Sequence, residues 1–526
     1  MEHHNAKTTL RGALILSLAA FIAKLLSAVY RVPFQNLVGN TGFYVYQQVY
    51  PLYGIGMTFA LSGLPVFISK LVADAPDLPT QQQVARQVYR WTWGLAGSLF
   101  VGLTVGAPWI ARGMGDDQLT PLIRTVAWMF LLMPDLSVTR GYHQGRFEML
   151  PTARSQVVEQ IVRVAVILLV ASWATVQQWS VYRMGAWAMS SGALAAIAAW
   201  LVLPRWRRPR EPRVARVPRI GRRLLVEGGT LCLLTAMMVL LQLIDSFTVK
   251  NGLVAGGLSD LAAKDLKGVY DRGQPLVQLG LVVAVAFATS LLPALTAAQQ
   301  RGRQREFKRL TTTMMRIALV IAAAAAAGLM TLMPWINHLL FGNQQGTTML
   351  AVYMLSIVLA TLIQTYNSVL QSQDQYRLTV VALGSGLVVK GLVNHWAVLH
   401  WGGLGASWVT VGSLLVMAGV IWYGSPVGLR SGIWTLPFLG KLLGCVALMV
   451  VGLQLLLHGL AAWWPGLMVG RGAAGGIVML TIPVGVILFL TTALGSRLLT
   501  VREWLTLPHA DRLLRFWQKL RLHGGK

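Results

Sequence analysis

Residues 154–175 read RSQVVEQIVRVAVILLVASWAT. As a helix rising 1.5 Å per residue, this stretch is about 33 Å long, close to the roughly 30 Å hydrocarbon core of a bilayer. Beyond Arg163 it is almost wholly apolar, yet Gln156, Glu159, Gln160 and Arg163 recur at i, i+3, i+4 and i+7. That spacing lines four polar groups along one helical face. An ionisable group at membrane depth costs at least a few kcal/mol, so the stripe must meet a partner or a wet cavity. One segment therefore predicts both a membrane crossing and a polar interior.

Comparable apolar runs lie near 11–31, 44–70, 91–112, 122–142, 181–203, 224–249, 274–297, 315–341, 347–371, 378–399, 402–424, 435–459 and 471–496. With the opening stretch they predict an all-α integral membrane protein of about 14 transmembrane helices. Composition agrees: 55% of the 526 residues are hydrophobic and 12% charged, against about 25% charged in a soluble domain. A soluble enzyme, a secreted disulfide scaffold and a disordered chain are excluded. Cys232 and Cys445 both fall inside apolar runs and read as packing residues. Lys24 interrupts the first run and no small-residue cleavage site follows, so that run reads as a retained helix rather than a signal peptide.

Lys and Arg number 45 against 18 Asp and Glu, a net charge of +27. Sorted into alternate loops, about 33 of the basic residues, Arg140 and the 205–223 segment among them, fall on one side. The loop 251–273 on the other side carries Asp260, Asp265 and Asp271, which offset its cations. This bias predicts a multi-pass protein of the bacterial plasma membrane with both termini cytoplasmic, and no nucleic-acid partner. The expected organisation is an N-lobe at 1–204, a basic linker at 205–223, a C-lobe at 224–425, two further helices at 426–498 and a basic amphipathic tail at 499–526. Leu513, Phe516, Trp517 and Leu520 form the apolar face of that tail.

An internal repeat supports two lobes of six helices each. Ser62-Gly63-Leu64-Pro65 closes the second run and Ser290-Leu291-Leu292-Pro293 the eighth, while Arg163 and Lys390 stand at nearly the same offset. Paired halves with a site between them suit an alternating-access carrier. Lys24, Arg163 and Lys390 are cationic within the runs, with Arg31 and Arg272 at their edges; Glu159 and Asp245 oppose them. Glu159 and Arg163, four apart, are placed to neutralise each other. Asn394 is one turn from Lys390. Cations in both halves suit an anionic cargo such as a diphosphate. No nucleotide-binding loop, zinc-protease motif or nucleophile elbow is present, and the nine histidines lack metal-ligand spacing beyond the His3-His4 pair. No catalytic or metal residues are therefore predicted.

RVPFQNLVGNTGFYVYQQVYPLY (31–53), LSGLPVFISKLVAD (61–74), RGYHQGRFEMLPTARSQVVEQIVRV (140–164) and GQPLVQLGLVVAVAFATSLLPALTAA (273–298) together resemble the polysaccharide biosynthesis proteins of the stage V sporulation protein B type. These belong to the multidrug/oligosaccharidyl-lipid/polysaccharide exporter superfamily. The resemblance runs from about residue 8 to 424, and the segment from Arg140 is its most specific part. It implies fourteen helices, two six-helix lobes, a central cavity, alternating access and export of lipid-linked cell-wall sugars, with lipid II flipping the nearest defined activity. In lipid II flippases basic residues of the first helix line the cavity; Lys24 matches such a position. Arg31 lies where those proteins carry an Arg-Asp pair, but Tyr30 precedes it here and the acid is missing. Arg272 is near their eighth-helix arginine, with Gln274-Pro275 in that register.

The expectation is a monomeric flippase carrying an undecaprenyl-diphosphate-linked cell-wall precursor from the inner to the outer leaflet. Lys24, Arg31, Arg163, Arg272 and Lys390 would surround the diphosphate, tuned by Glu159 and Asp245. Gln144, Gln156 and Asn394 would hydrogen-bond sugar or peptide. No cofactor is expected; membrane potential, a proton or a sodium ion would supply coupling. The alternatives are a cation-coupled multidrug exporter of the same superfamily, whose cavity would be acidic, and a non-transporting scaffold in cell-wall or spore assembly.

Overall fold

The computed structural model describes residues 2–204, 219–373, 375–426, 435–463 and 470–506, which are helical almost throughout and contain no strand. The expected tail helix and most of the basic linker lie outside the described residues. Eleven helical stretches among those described are long and apolar enough to cross a membrane. Two of them are too long for one crossing. Ile15–Ala73 has 59 residues and Tyr376–Gly424 has 49, which would reach about 88 and 74 Å if unbroken and straight. Each contains a glycine in a backbone conformation that side chains disfavour, Gly39 (φ 71°, ψ −179°) and Gly402 (φ 58°, ψ −145°). Lacking a Cβ, glycine lets the chain turn there, between the runs assigned to successive crossings.

The chain divides into two compact units, residues 1–275 with 387–406, and residues 276–386 with 407–526. The first unit opens with α1 (Glu2–Val29), α2 (Arg31–Leu61) and α3 (Gly63–Ala73). Next come α4 (Leu78–Gly113), whose N-cap Asp77 accepts from the Thr80 amide at 2.8 Å, α5 (Thr120–Gly145) and α6 (Met149–Val176). Short α7 (Val181–Met189) and α8 (Ser191–Val202) follow. After α9 (Ile220–Arg223) come a π-helical turn, α10 (Gly229–Thr235), α11 (Met237–Ala255) and α12 (Asp260–Asp271).

Helix α5 packs against α2, α3 and α4. Its Gly141 brings α3 close: a Cβ there would lie 2.5 Å from the Cβ of Ile68. Helix α2 also runs along α11 and α12, and α6 packs on α1 and α8. The seventh apolar run, expected at 224–249, is helical but interrupted at Ala236. Its first part is the π turn and α10, and the helix long enough to cross is Met237–Ala255. The pair Gly228-Gly229, the poorest helix formers short of proline, weakens the earlier segment, which hydropathy alone does not register.

Residues 273–300 form α13 (Gly273–Thr289) and α14 (Leu292–Gln300). The chain breaks at Ser290-Leu291 before Pro293, as it breaks at Ser62 before Pro65. The two copies of the repeated signature thus produce the same local interruption. The second unit continues with α15 (Gln304–Thr331), α16 (Met333–Phe341) and α17 (Thr347–Gln371). It ends with α18 (Tyr376–Gly424), α19 (Leu436–Trp463), α20 (Arg471–Gly495) and α21 (Val501–Leu505), though residues 387–406 of α18 belong to the first unit. An apolar core of Ile317, Phe438, Met449, Leu453, Phe489 and Trp504 holds the second unit together.

Candidate functional site

The polar interior of the first unit is built on α2. Tyr46, Tyr50 and Tyr53 fall at i, i+4 and i+7, one face of the helix. The rings of Tyr46 and Tyr50 are 6.2 Å apart and those of Tyr50 and Tyr53 5.7 Å, and the Tyr30 and Tyr46 hydroxyls hydrogen-bond at 3.0 Å. Two arginines enter this aromatic wall. Arg31 lies 4.3 Å from the centre of the Tyr50 ring; Arg163, from α6, lies 5.3 Å from Tyr30 and 5.2 Å from Tyr53. Both are buried, at 2% and 1% exposure.

Neither arginine forms an ion pair with a carboxylate of the described residues. Arg31 Nε and Arg163 Nε and Nη2 have no hydrogen-bond partner there, and the same is true of Tyr53 Oη, Gln160 Oε1 and both amide atoms of Gln47. Aromatic faces attract a cation but leave its N–H donors unspent. What results is a buried, electropositive cage in which part of each guanidinium group lacks a hydrogen-bond partner.

Lys390 and Asp245 behave differently. The Lys390 ammonium sits 2.8 Å from Asp245 Oδ2, and neither side chain is exposed. Asn394 donates to Asp245 Oδ1 at 3.0 Å and to Thr248 at 2.6 Å, while the Tyr270 hydroxyl donates to Asp245 at 3.2 Å. Lys390 was expected beside an anionic cargo; here its charge is satisfied inside the protein. Asn394 spends its amide nitrogen on Asp245 and Thr248, while its Oδ1 is buried without a partner.

Glu159 also departs from expectation. Its partner is Arg140 of α5 at 2.6 Å, not Arg163, and both side chains are buried. Arg140 Nε donates to Ser155 at 2.9 Å and Nη1 to the Ala60 carbonyl at 3.1 Å. Arg140, counted among the loop cations, is thus an interior anchor joining α2, α5 and α6. Hydropathy ends the fourth run at about residue 142, whereas α5 continues to Gly145. With its acid taken by Arg140, Arg163 keeps its charge open.

Lys24 is exposed, yet it shares a face of α1 with buried Ser27 and Ala28 rather than with exposed Leu18, Ile22, Leu25 and Val29. Arg272 Nη2 donates to Asn40 Oδ1 at 2.7 Å, which also accepts from Gln35 at 3.0 Å. Gln156 is buried near the Leu61 carbonyl, 3.5 Å from its Nε2, with Oε1 unpartnered. Gln144 is half-buried in the last turn of α5, and no described contact joins it to the cage.

A polar lattice joins α2, α7, α11, α12 and the turn between α4 and α5. Lys264 reaches Asp116 at 3.1 Å, Asp260 at 2.7 Å and the Tyr182 hydroxyl at 2.9 Å; Tyr182 and Tyr44 donate to Asp116. Lys250 pairs with Asp260 at 2.5 Å and donates to the Gly115 carbonyl at 2.6 Å. Partial burial alone would raise the Asp260 pKa, but hydrogen bonds from Lys250 and Lys264 hold that carboxyl below its usual range. The acids of the loop 251–273 therefore do offset its cations.

The tyrosines were missed in the sequence. Their signal was the i, i+4, i+7 spacing in YVYQQVYPLY (44–53), hidden because tyrosine in an apolar run also suits a membrane interface.

Comparison with known proteins places this architecture. The family model described as polysaccharide biosynthesis protein matches residues 9–299. The membrane protein YabM of Bacillus subtilis (strain 168) is 36% identical over 98% of this chain and 98% of its own length. The lipid II flippase MurJ of the same organism is 26% identical over 73% of this chain and 76% of its own. Among solved structures, lipid II flippase MurJ in an inward closed conformation superposes with a TM-score of 0.67 at 10% identity, covering 92% of this chain and 99% of that one. An inward-facing multidrug resistance MATE family transporter of the MOP superfamily gives 0.60 at 15% identity, covering 80% and 97%. At such identities the structures share a fold. Those with a stated activity are a flippase and transporters, not enzymes. A family match across more than half its length, joined to near-full-length likeness to YabM, makes this chain a member of the polysaccharide biosynthesis protein family of multi-pass membrane proteins.

Proposed function

We propose that the protein is a flippase moving a polyprenyl-diphosphate-linked cell-wall precursor across the bacterial plasma membrane, from inner to outer leaflet, with both termini cytoplasmic. One observation carries the reading: Arg31 and Arg163 are held in an aromatic cage with no carboxylate of the described residues paired to them and with Arg31 Nε and Arg163 Nε and Nη2 unpartnered. A diphosphate cannot enter hydrocarbon unless fixed cations replace part of its hydration, and here the countercharge that would cancel Arg163 is diverted to Arg140. Lys24, exposed on the interior-facing side of α1, would meet the headgroup first, and Gln156 would hydrogen-bond it. Arg272 would bear on it from the rim. Lys390 and Asp245 would keep helices in register rather than touch cargo.

An inside-negative potential adds about 2.3 kcal/mol per negative charge per 100 mV for outward movement, so it would serve as the coupling force. An exporter of organic cations would be expected to line this cage with free carboxylates, and Glu159 and Asp245 are both paired.

Binding of undecaprenyl diphosphate to the purified protein tests the assignment. A charge-assisted hydrogen bond contributes about 1.5–3 kcal/mol, so Arg163→Ala should weaken binding roughly 10- to 100-fold, with Arg163→Lys intermediate. Binding unchanged in a correctly folded Arg163→Ala protein would refute it.

A further inference from the structure

A polar recess lies where α9 meets α4, and none of the cage residues line it. Its volume is about 300 Å³, and Gln87, Arg90, Trp91, Arg219, Gly221 and Arg222 line it. Gln87 is 9% exposed, and neither of its amide atoms has a hydrogen-bond partner; Gln83, one turn earlier, has an unpartnered Oε1. Arg90, Arg219 and Arg222 are exposed, and no carboxylate among the described residues pairs with them. Neighbouring Arg223, by contrast, is bound to Glu227 at 2.9 Å. Gly221 lies flat against Trp91: a Cβ there would come within 2.6 Å of the indole ring. The ring is therefore a fixed wall of the recess, although Trp91 itself remains 53% exposed.

We propose that this recess seats the phosphodiester headgroup of an anionic membrane lipid. Three unpaired guanidinium groups supply charge and paired N–H donors suited to phosphate oxygens. The Gln87 amide, buried without a partner, would gain one from the headgroup. The occupant is a lipid rather than a free phosphate because of where the recess sits. Exposed Trp91 and Trp93 mark headgroup depth at the start of the apolar part of α4, and a basic pocket between helices at that depth faces lipid phosphates.

The test uses the full-length protein in phosphatidylcholine nanodiscs containing a minor fraction of phosphatidylglycerol, with retained lipid counted by native mass spectrometry. Phosphatidylglycerol retention should fall about fivefold for each cation removed in Arg90→Gln and Arg222→Gln, with phosphatidylcholine unchanged. Gln87→Leu, which keeps every charge, should also lower it, separating a built seat from diffuse attraction. The pair Arg305→Gln and Lys308→Gln, elsewhere on the basic surface, should leave it unaltered. Undiminished retention in the Arg90→Gln/Arg222→Gln protein, or an equal loss in the Arg305→Gln/Lys308→Gln protein, would overturn the proposal. Displacement of the lipid by soluble glycerol 3-phosphate would reassign the recess to a free phosphate and overturn it equally.

Discussion

Arg140 and Arg163 lie on neighbouring helices and are both buried, yet they do opposite work. Arg140 spends its donors on Glu159, Ser155 and the Ala60 carbonyl, whereas Arg163 lies among tyrosines with Nε and Nη2 unpartnered. The difference follows from which of them takes the one nearby acid. Breaking a buried pair by removing one partner costs about 3–5 kcal/mol, while replacing both with apolar residues is often neutral. Arg140→Met alone and Glu159→Leu alone should each lower thermal stability markedly, and the double variant should recover most of the loss. A double variant no more stable than either single one would show that the pair is not the anchor described. The Glu159–Arg163 spacing was legible in the sequence, but the partner was not. Spacing along one helix cannot reveal an arginine arriving from the next, and a hydropathy boundary left Arg140 at a span end.

At the scale of elements, small residues and breaks decide how the helices meet. Leucine at 141 would drive a side chain into Ile68 at the α3–α5 contact. Gly141→Leu should cost about 1–3 kcal/mol, as overpacking does, readable as a lower melting temperature with the helical content kept. A melting temperature equal to wild type would mean that α3 is free to move away. The lattice of Lys250, Asp260 and Lys264 makes a pH prediction. The folded-state pKa of Asp260 is depressed, so its contribution is present above the unfolded value of about 3.9 and is lost as pH falls through the lower folded value. The stability gap between wild type and Asp260→Asn should therefore close on acidification; a gap independent of pH would contradict it. Most of these helices were legible as apolar runs. The interruption of the seventh at Ala236 and its π turn were not, because such breaks change backbone geometry with little change in hydropathy.

Taken whole, the chain is an apolar helical scaffold with most of its charge in loops and a small set of ionisable groups buried among its helices. The polar stripe on α6 disclosed that interior from sequence, since ionisable groups in a membrane crossing demand an explanation. The tyrosine cage was hidden, because an aromatic side chain is at home in lipid, interface or core and only the folded arrangement distinguishes them. Among the described residues neither guanidinium group of the cage is ion-paired with a carboxylate, and passage of a phosphorylated headgroup is the function that would use their charge. Translocation of a fluorescent polyprenyl-diphosphate sugar in proteoliposomes, under an imposed inside-negative potential, tests this most directly. The account predicts potential-dependent transfer by the wild-type protein, abolished in Arg31→Ala/Arg163→Ala and retained in Arg90→Gln/Arg222→Gln. Equal transfer by the Arg31→Ala/Arg163→Ala protein, folded and inserted normally, would contradict it.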